Sequence, residues 1–143
     1  MKIAGTSQIP FPPAKAYEMM RDPQVLAKAI PGCEGLEKTG ADEYKLKMKM
    51  VLASLSGAFE GKVRLSDPQP PASFRMLVEG SSRIGFMRGE GLLKLTDKDG
   101  GTEVSYEGDV QVGGTMAAIG QRLIDVTARM LMRRFFENLA GSV

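Results

Sequence analysis

Few side chains in this sequence could carry out acid–base or nucleophilic chemistry. The chain of 143 residues contains one cysteine and no histidine. Catalytic triads with an imidazole base, zinc-bound hydroxide held by histidines and imidazole ligation of haem are therefore excluded. Cys33 is the obvious nucleophile to consider, but the histidine that usually activates a catalytic cysteine is missing. The sequence favours a structural cysteine whose thiol is unreactive because it is partly buried.

The carboxylates also provide few candidates for a catalytic acid or base. Two acids in unlike environments would be enough for glycoside or isomerase chemistry, but the acids of the predicted strands fall on the outward side of a two-residue alternation. These acids are Glu60, Glu79, Glu90, Glu103 and Glu107. Tyr106 is the one titratable side chain placed inward, either as a core tyrosine or as a polar anchor for a ligand. We therefore expect no catalytic residue and no metal ligand.

Two glycine-rich segments resemble nucleotide-binding loops only superficially. Residues 57–63 (GAFEGKV) are one residue short of a phosphate-binding loop and lie within a strand pattern, not at the start of a helix. The series Gly85, Gly89 and Gly91 lacks the strand–turn–helix context of a dinucleotide fingerprint. With a net charge of +2, the chain also lacks the basic excess of a nucleic-acid binder, so we expect no nucleic-acid partner.

The inward face of the predicted strands is unusual, because it carries methionines and glycines and almost nothing ionisable. A glycine within a strand costs about 0.5–1 kcal/mol relative to alanine, so several of them need a reason. One explanation is curvature, since glycines mark bends and bulges. The other is an adaptable apolar cavity between the sheet and a helix, suited to a hydrophobic ligand. The sequence leaves both explanations open.

The residues involved can be named from the pattern. The glycines are Gly57, Gly61, Gly89, Gly91 and Gly108. The residues predicted to line the cavity are Met48, Met50, Phe59, Val63, Phe74, Met76, Met87, Tyr106, Val110, Ile119, Leu123, Thr127 and Met130.

The elements that position this face follow from periodicity. Residues 2–9 are predicted as a short strand that ends at a proline-rich segment. A short helix over residues 14–21 follows, because good helix formers come directly after the prolines. Asp22 is predicted to cap a second short helix over residues 24–29, which ends at Pro31-Gly32.

About six consecutive antiparallel strands are predicted beyond Gly32, where the period of the apolar residues changes from 3.6 to 2. The clearest lie at residues 44–50, 55–65, 74–79, 87–95 and 104–110. Residues 116–139 are predicted as one helix roughly 35 Å long. Its apolar stripe consists of Ile119, Leu123, Ile124, Val126, Met130, Leu131, Phe135 and Leu139.

These elements predict one α+β domain over residues 1–143. A strongly curved antiparallel sheet of about seven strands wraps around the long C-terminal helix, with two short helices after the first strand. The arginines of the long helix fit either a membrane-surface helix or a core helix with a charged outer face, and we favour the latter. They are Arg122, Arg129, Arg133 and Arg134. Without an apolar signal region, the chain is expected in the cytoplasm.

Three segments are similar to the family of the carbon monoxide dehydrogenase G-subunit. They are residues 30–34 (IPGCE), 57–63 (GAFEGKV) and 110–124 (VQVGGTMAAIGQRLI). That family belongs to the START-like, polyketide-cyclase-like superfamily of helix-grip proteins, and the similarity extends from Met1 to about Leu139. It implies a helix-grip fold, in agreement with the periodicity.

The resemblance also implies a function. It suggests a non-catalytic accessory protein of the molybdenum–copper carbon monoxide dehydrogenase at the cytoplasmic face of the membrane, with peripheral membrane contact. Members are linked to membrane recruitment of that enzyme and, in some cases, to binding a quinone such as menaquinone. No intrinsic cofactor is expected, and menaquinone would be a bound ligand. Its head group needs one or two hydrogen-bond donors, for which Gln121, Thr127 and Tyr106 are candidates.

Two other hypotheses remain open on the sequence. The protein could be a recruitment or assembly factor that docks on the dehydrogenase with a filled interior and no ligand. It could instead be a polyketide-cyclase-like enzyme, such as a cyclase or hydratase. The enzyme needs an ionisable group inside the cavity, and the inward pattern offers little beyond Tyr106.

Overall fold

Seven strands and three α-helices form the part of the chain that the computed structural model describes, residues 1–50 and 57–141. The first half contains β1 (Lys2–Ile9), α1 (Pro13–Met19), α2 (Pro23–Ala29), β2 (Cys33–Gly40) and β3 (Glu43–Met50). The second half contains β4 (Gly57–Gln69), β5 (Ser73–Ser82), β6 (Gly85–Lys98), β7 (Gly101–Gly113), a 3₁₀ segment (Gly114–Ile119) and α3 (Gln121–Ala140).

The strands form one antiparallel sheet in the order β1-β7-β6-β5-β4-β3-β2. β2 to β7 follow one another as a meander, and β1 pairs with β7 along its whole length. α1 and α2 occupy the connection from one edge of the sheet to the other. The predicted α+β class, with a curved sheet and a C-terminal helix, is confirmed.

The boundaries of several elements differ from the sequence expectation. β2 is a separate strand that the periodicity did not identify, because its second half is exposed and lacks an apolar alternation. The single helix predicted over residues 116–139 is wrong at its start. Gly120 adopts a φ of +101°, which no helix accommodates, so the 3₁₀ segment precedes it and α3 begins at Gln121. At 20 residues, α3 is about 30 Å long.

The second short helix forms as its capping residues predict. The Asp22 carboxylate accepts a hydrogen bond from the Gln24 backbone N–H at 2.9 Å, and Pro23 occupies the first helical position. The cap satisfies one of the donors that a helix leaves unpaired at its start.

The apolar core is divided into two clusters. The main cluster joins α1, α2 and the end of α3 to one end of the sheet, with Phe74, Leu26 and Phe136 among its fully buried side chains. A smaller cluster lies at the other end, around Met50, Phe59 and Met116. Met48 packs against both clusters and therefore lies between them.

Some inward-facing glycines lie where backbones approach too closely for a side chain. A Cβ atom on Gly61 would overlap the carbonyl oxygen of Glu79, and one on Gly108 would overlap that of Glu90. Gly91, directly opposite Gly108, would bring its Cβ to 2.8 Å from a carbonyl oxygen of β7. At these positions curvature is the explanation, because the sheet coils where no Cβ has to fit.

Gly89 is different. The nearest atom to a Cβ at this position would be Val110 Cγ2, at 4.0 Å. Gly80, opposite Met87, is likewise at ordinary contact distance, 3.6 Å from the methionine Cγ. These glycines leave room above the inner face of the sheet. Both explanations that the sequence left open therefore apply, at different positions.

The contrast between Gly61 and Gly89 predicts opposite tolerance to the same substitution. Gly61→Ala should lower the free energy of unfolding by about 1–3 kcal/mol, because the neighbouring backbone has to move. Gly89→Ala should change it by less than about 1 kcal/mol, because the methyl group meets no atom closely and the unfolded chain loses freedom. Urea denaturation of the two variants measures the difference. Equal stability would contradict the assignment of Gly61 to close backbone approach.

Thr102 ties β7 to the segment that leads into α1. Its side chain is fully buried, and Oγ1 donates a hydrogen bond to the Phe11 carbonyl oxygen at 2.6 Å. Thr102→Val keeps the shape but removes the donor, so we expect a loss of about 1–3 kcal/mol in the free energy of unfolding. Thr6→Val, at an exposed position of β1, is the matched control and should be near neutral. A thermal melt in which both variants match the wild type would contradict this role.

Candidate ligand site between the sheet and the C-terminal helix

The C-terminal half of α3 is firmly attached to the rest of the fold. Phe135, Phe136 and Leu139 are buried in the main cluster. The Phe136 ring stacks on Tyr106 of β7 with 5.7 Å between ring centroids. The Asn138 side-chain amide donates to the Ala29 carbonyl oxygen at the end of α2, at 3.1 Å. These contacts fix the helix at one end.

The N-terminal half of α3 is much less covered. Leu123 is 39% exposed and Val126 is 57% exposed, so the apolar stripe predicted for this half is wrong at these two residues. The reason is that both residues lie on the side of α3 that points away from the buried residues Phe135 and Leu139. Thr127 and Met130, one helical turn further along, are half-buried.

The nine predicted strand residues all lie at inward positions of the alternation, but their surroundings differ. Val63 and Phe74 are enclosed in the main cluster, and Met50 and Phe59 are enclosed in the smaller one. The others face inward and remain half-buried: Met48, Met76, Met87, Tyr106 and Val110. These inner-face side chains therefore remain partly accessible, unlike those enclosed in the clusters. We place the candidate site here, between the two clusters.

The remaining predicted residues come from the C-terminal segments. Ile119 lies in the 3₁₀ segment and packs against the smaller cluster. Thr127 and Met130 are half-buried on α3 but belong to neither cluster, and Leu123 is exposed. Sequence reasoning missed several residues that also pack against the clusters. Three of these could have been found, because two follow the strand alternation and one belongs to the helical stripe. They are Val78, Val112 and Leu131.

The candidate site is electrically neutral. Apart from tyrosines, Thr102 is the one polar residue that is buried among the described residues. The strand carboxylates lie on the outward face, and several form ion pairs there, such as those of Glu79 and Glu90 with Arg88. A ligand in this site would meet thioethers, aliphatic groups, glycine backbone and the Tyr106 phenol.

Cys33 lies on β2, opposite Met48 in the β2–β3 ladder. Burial raises the pKa of its thiol above the ordinary value, and a backbone hydrogen bond at Gly35 offsets this only in part. At neutral pH the thiol is therefore protonated and weakly nucleophilic. This environment agrees with the structural role favoured on the sequence.

Two open grooves of about 570 and 680 Å³ lie on the outer face of the sheet. Charged side chains of both signs line them, so neither groove matches the apolar inner face. Among the described residues no three His, Cys, Asp or Glu side chains cluster as a metal site would require. No helix within residues 1–50 and 57–141 has the length and apolar character to cross a membrane.

Comparison with known proteins identifies the fold and the family. The family described as the G-subunit of carbon monoxide dehydrogenase (CoxG) matches residues 5–143. A conserved protein from Geobacillus kaustophilus is 31% identical with a TM-score of 0.94, and the match covers 99% of this chain and 93% of that one. No curated protein matches the chain.

More distant structures share the fold alone. A START superfamily protein from Mycobacterium smegmatis is 11% identical with a TM-score of 0.79, covering 99% of this chain and 96% of that one. Protein CV1439 from Chromobacterium violaceum is 17% identical with a TM-score of 0.74, over 99% of this chain and 96% of that one. The architecture is therefore START-like.

Family and fold together suggest an accessory protein that binds a hydrophobic ligand, and they fit a non-catalytic role. The neutral, partly open inner face agrees with that role. Because the family match extends over nearly the whole length, this chain belongs to the CoxG family of carbon monoxide dehydrogenase G-subunits.

Proposed function

We propose that this protein is a non-catalytic carrier that binds a long-tailed quinone, such as menaquinone, between the sheet and α3. It would serve a carbon monoxide dehydrogenase by linking that enzyme to the quinone pool of the membrane. The observation that supports this most strongly is the inner face between the two core clusters, which is apolar, incompletely covered and, among the described residues, without a buried charge.

The lining suits a flexible apolar tail. Met48, Met76 and Met87 contribute unbranched, polarisable side chains that adapt to irregular shapes, and Gly89 leaves room above the sheet. Each buried methylene group contributes roughly 0.8 kcal/mol, so one fully buried five-carbon prenyl unit contributes roughly 4 kcal/mol. Several such units would bind tightly without any charged contact.

The head group needs hydrogen-bond donors. Gln121 is exposed at the start of α3, whereas Thr127 and Tyr106 are half-buried and Tyr106 packs against the main cluster. The two half-buried residues are therefore better placed for a quinone carbonyl than Gln121. A neutral head group also suits these surroundings, because a charged one would lose its hydration without gaining a partner.

The family name supports the proposed link to the dehydrogenase. Oxidation of carbon monoxide with water yields carbon dioxide, two protons and two electrons, and a quinone takes up the same two electrons and two protons to become a quinol. A carrier that shields the quinone tail from water would allow this exchange away from the lipid phase. The proposal therefore assigns the redox chemistry to the enzyme and the solubilisation of its acceptor to this protein.

Gly89→Trp tests the site, because the indole would fill the open space beside Val110. We expect menaquinone with four prenyl units to bind the wild type, and the affinity to fall at least tenfold in the variant. Thr96→Trp, on the outward face of the same strand, is the matched control and should bind normally. Native mass spectrometry measures retention of the quinone, and circular dichroism verifies folding. A folded Gly89→Trp variant with unchanged affinity, or a wild type that retains no quinone, would contradict the proposal.

The same pair of variants tests the functional link. With the carbon monoxide dehydrogenase of the same organism, carbon monoxide should reduce menaquinone bound to the wild type and to Thr96→Trp, but not menaquinone offered with Gly89→Trp. Absorbance of the quinol measures the reaction. If the enzyme co-purifies with all three proteins while none delivers quinone, a ligand-free assembly role is the correct function.

A further inference from the structure

Tyr106 faces the inner side of the sheet, one inward position along β7 from the directly paired glycines Gly91 and Gly108. On its other side it is paired with Gly5 across the β1–β7 ladder. A Cβ atom on Gly5 would lie only 2.5 Å from the Tyr106 hydroxyl oxygen. The hydroxyl therefore occupies the space that a side chain at position 5 would fill.

The position of the Tyr106 ring is fixed by Phe136. The two rings are nearly parallel, with an interplanar angle of 21° and 5.7 Å between centroids. Phe136 itself is buried in the main cluster at 1% exposure. The Phe136 ring thus orients the phenol, and the absence of a side chain at Gly5 leaves room for its hydroxyl.

The Tyr106 hydroxyl differs from those of the other two tyrosines. The Tyr44 hydroxyl donates to the Arg21 carbonyl oxygen at 3.2 Å, and the Tyr17 hydroxyl accepts from the Arg21 guanidinium at 3.1 Å. Within residues 1–50 and 57–141, the Tyr106 hydroxyl has no hydrogen-bond partner. No fully buried side-chain polar atom in that part of the chain lacks a partner. The hydroxyl is therefore an unpaired donor that reaches accessible space over Gly5 of the edge strand β1.

The surroundings of Tyr106 favour a neutral ligand atom. A cation near this part of β1 is Arg129 of α3, which donates to the Ala4 carbonyl oxygen at 3.2 Å. The same guanidinium is paired with both carboxylate oxygens of Asp125 at 3.1 Å. A carboxylate ligand would have to compete with Asp125 for this arginine, whereas a carbonyl oxygen needs only one donor.

We propose that Tyr106 donates a hydrogen bond to a neutral carbonyl oxygen at the polar end of the bound hydrophobic molecule, and that Gly5 is the residue that positions it. This inference rests on the proposed function and deepens it. It assigns the ligand to neutral, elongated carbonyl compounds, such as quinones, in preference to hydrocarbons or free fatty acids. The polar end lies next to the firmly attached half of α3, and the tail lies along the methionines.

Tyr106→Phe tests the donor with two probes that share an isoprenoid chain. Menaquinone carries carbonyl oxygens, and squalene is a hydrocarbon without an acceptor. Removal of the hydroxyl should weaken menaquinone binding about 2- to 10-fold, the range expected for one hydrogen bond, and should leave squalene binding unchanged. The carbonyl stretching band of bound menaquinone should lie at lower wavenumber in the wild type than in Tyr106→Phe.

Two further variants serve as control and as a test of positioning. Tyr44→Phe removes a hydroxyl that is already bonded within the protein, so it should leave menaquinone affinity unchanged. Gly5→Ala should displace the Tyr106 hydroxyl and lower menaquinone affinity. Combined with Tyr106→Phe, it should lower that affinity by less than it does alone, because the hydrogen bond is already lost. Circular dichroism establishes that each variant is folded.

The outcomes separate the two proposals. Equal losses for menaquinone and squalene in Tyr106→Phe, or an unchanged carbonyl band, would overturn the role of Tyr106 while the carrier function stands. A wild type that binds neither probe would overturn the carrier function and this inference with it. Tight binding of a free fatty acid that outcompetes menaquinone would overturn the assignment to neutral carbonyl compounds.

Discussion

The close approach of neighbouring backbones at inward glycines is the constraint on which the rest of the structure depends. At Gly61, Gly91 and Gly108 a Cβ atom would meet carbonyl oxygens or Cα atoms of the adjacent strand. The strands can coil sharply there because no side chain has to be accommodated. This curvature gives the inner face its concave form and lets α2 and α3 pack against it.

The two halves of α3 then take different roles. Phe135, Phe136 and Leu139 attach the second half to the main cluster, and Arg129 bonds the edge strand β1 at the Ala4 carbonyl oxygen. The first half of α3, in contrast, contains no fully buried residue. A carrier needs such an arrangement, since a helix packed evenly along its length would fill the space that the ligand requires.

The inner face is chemically simple, and its simplicity limits what it can bind. Methionine thioethers and glycine backbone accept apolar chains of varied shape, but they discriminate weakly between them. Selectivity then depends on the few polar groups that remain, and Tyr106 is the phenol without a partner in the described part of the chain. One donor in neutral surroundings favours a neutral acceptor, because a charged group would lose its hydration without compensation.

The sequence by itself determined which residues face inward, the cap of α2 by Asp22, the absence of histidine chemistry and the family. These features depend on composition, motifs and local periods of 2 and 3.6 residues. Only the tertiary structure decided that Gly61 has no room for a Cβ while Gly89 has, and that Leu123 is exposed. The tertiary structure also showed that the Tyr106 hydroxyl lies in the space that a side chain at position 5 would occupy. The physical reason is that room around a Cβ, and coverage by a helix, depend on backbone segments far apart in sequence, which no local pattern records.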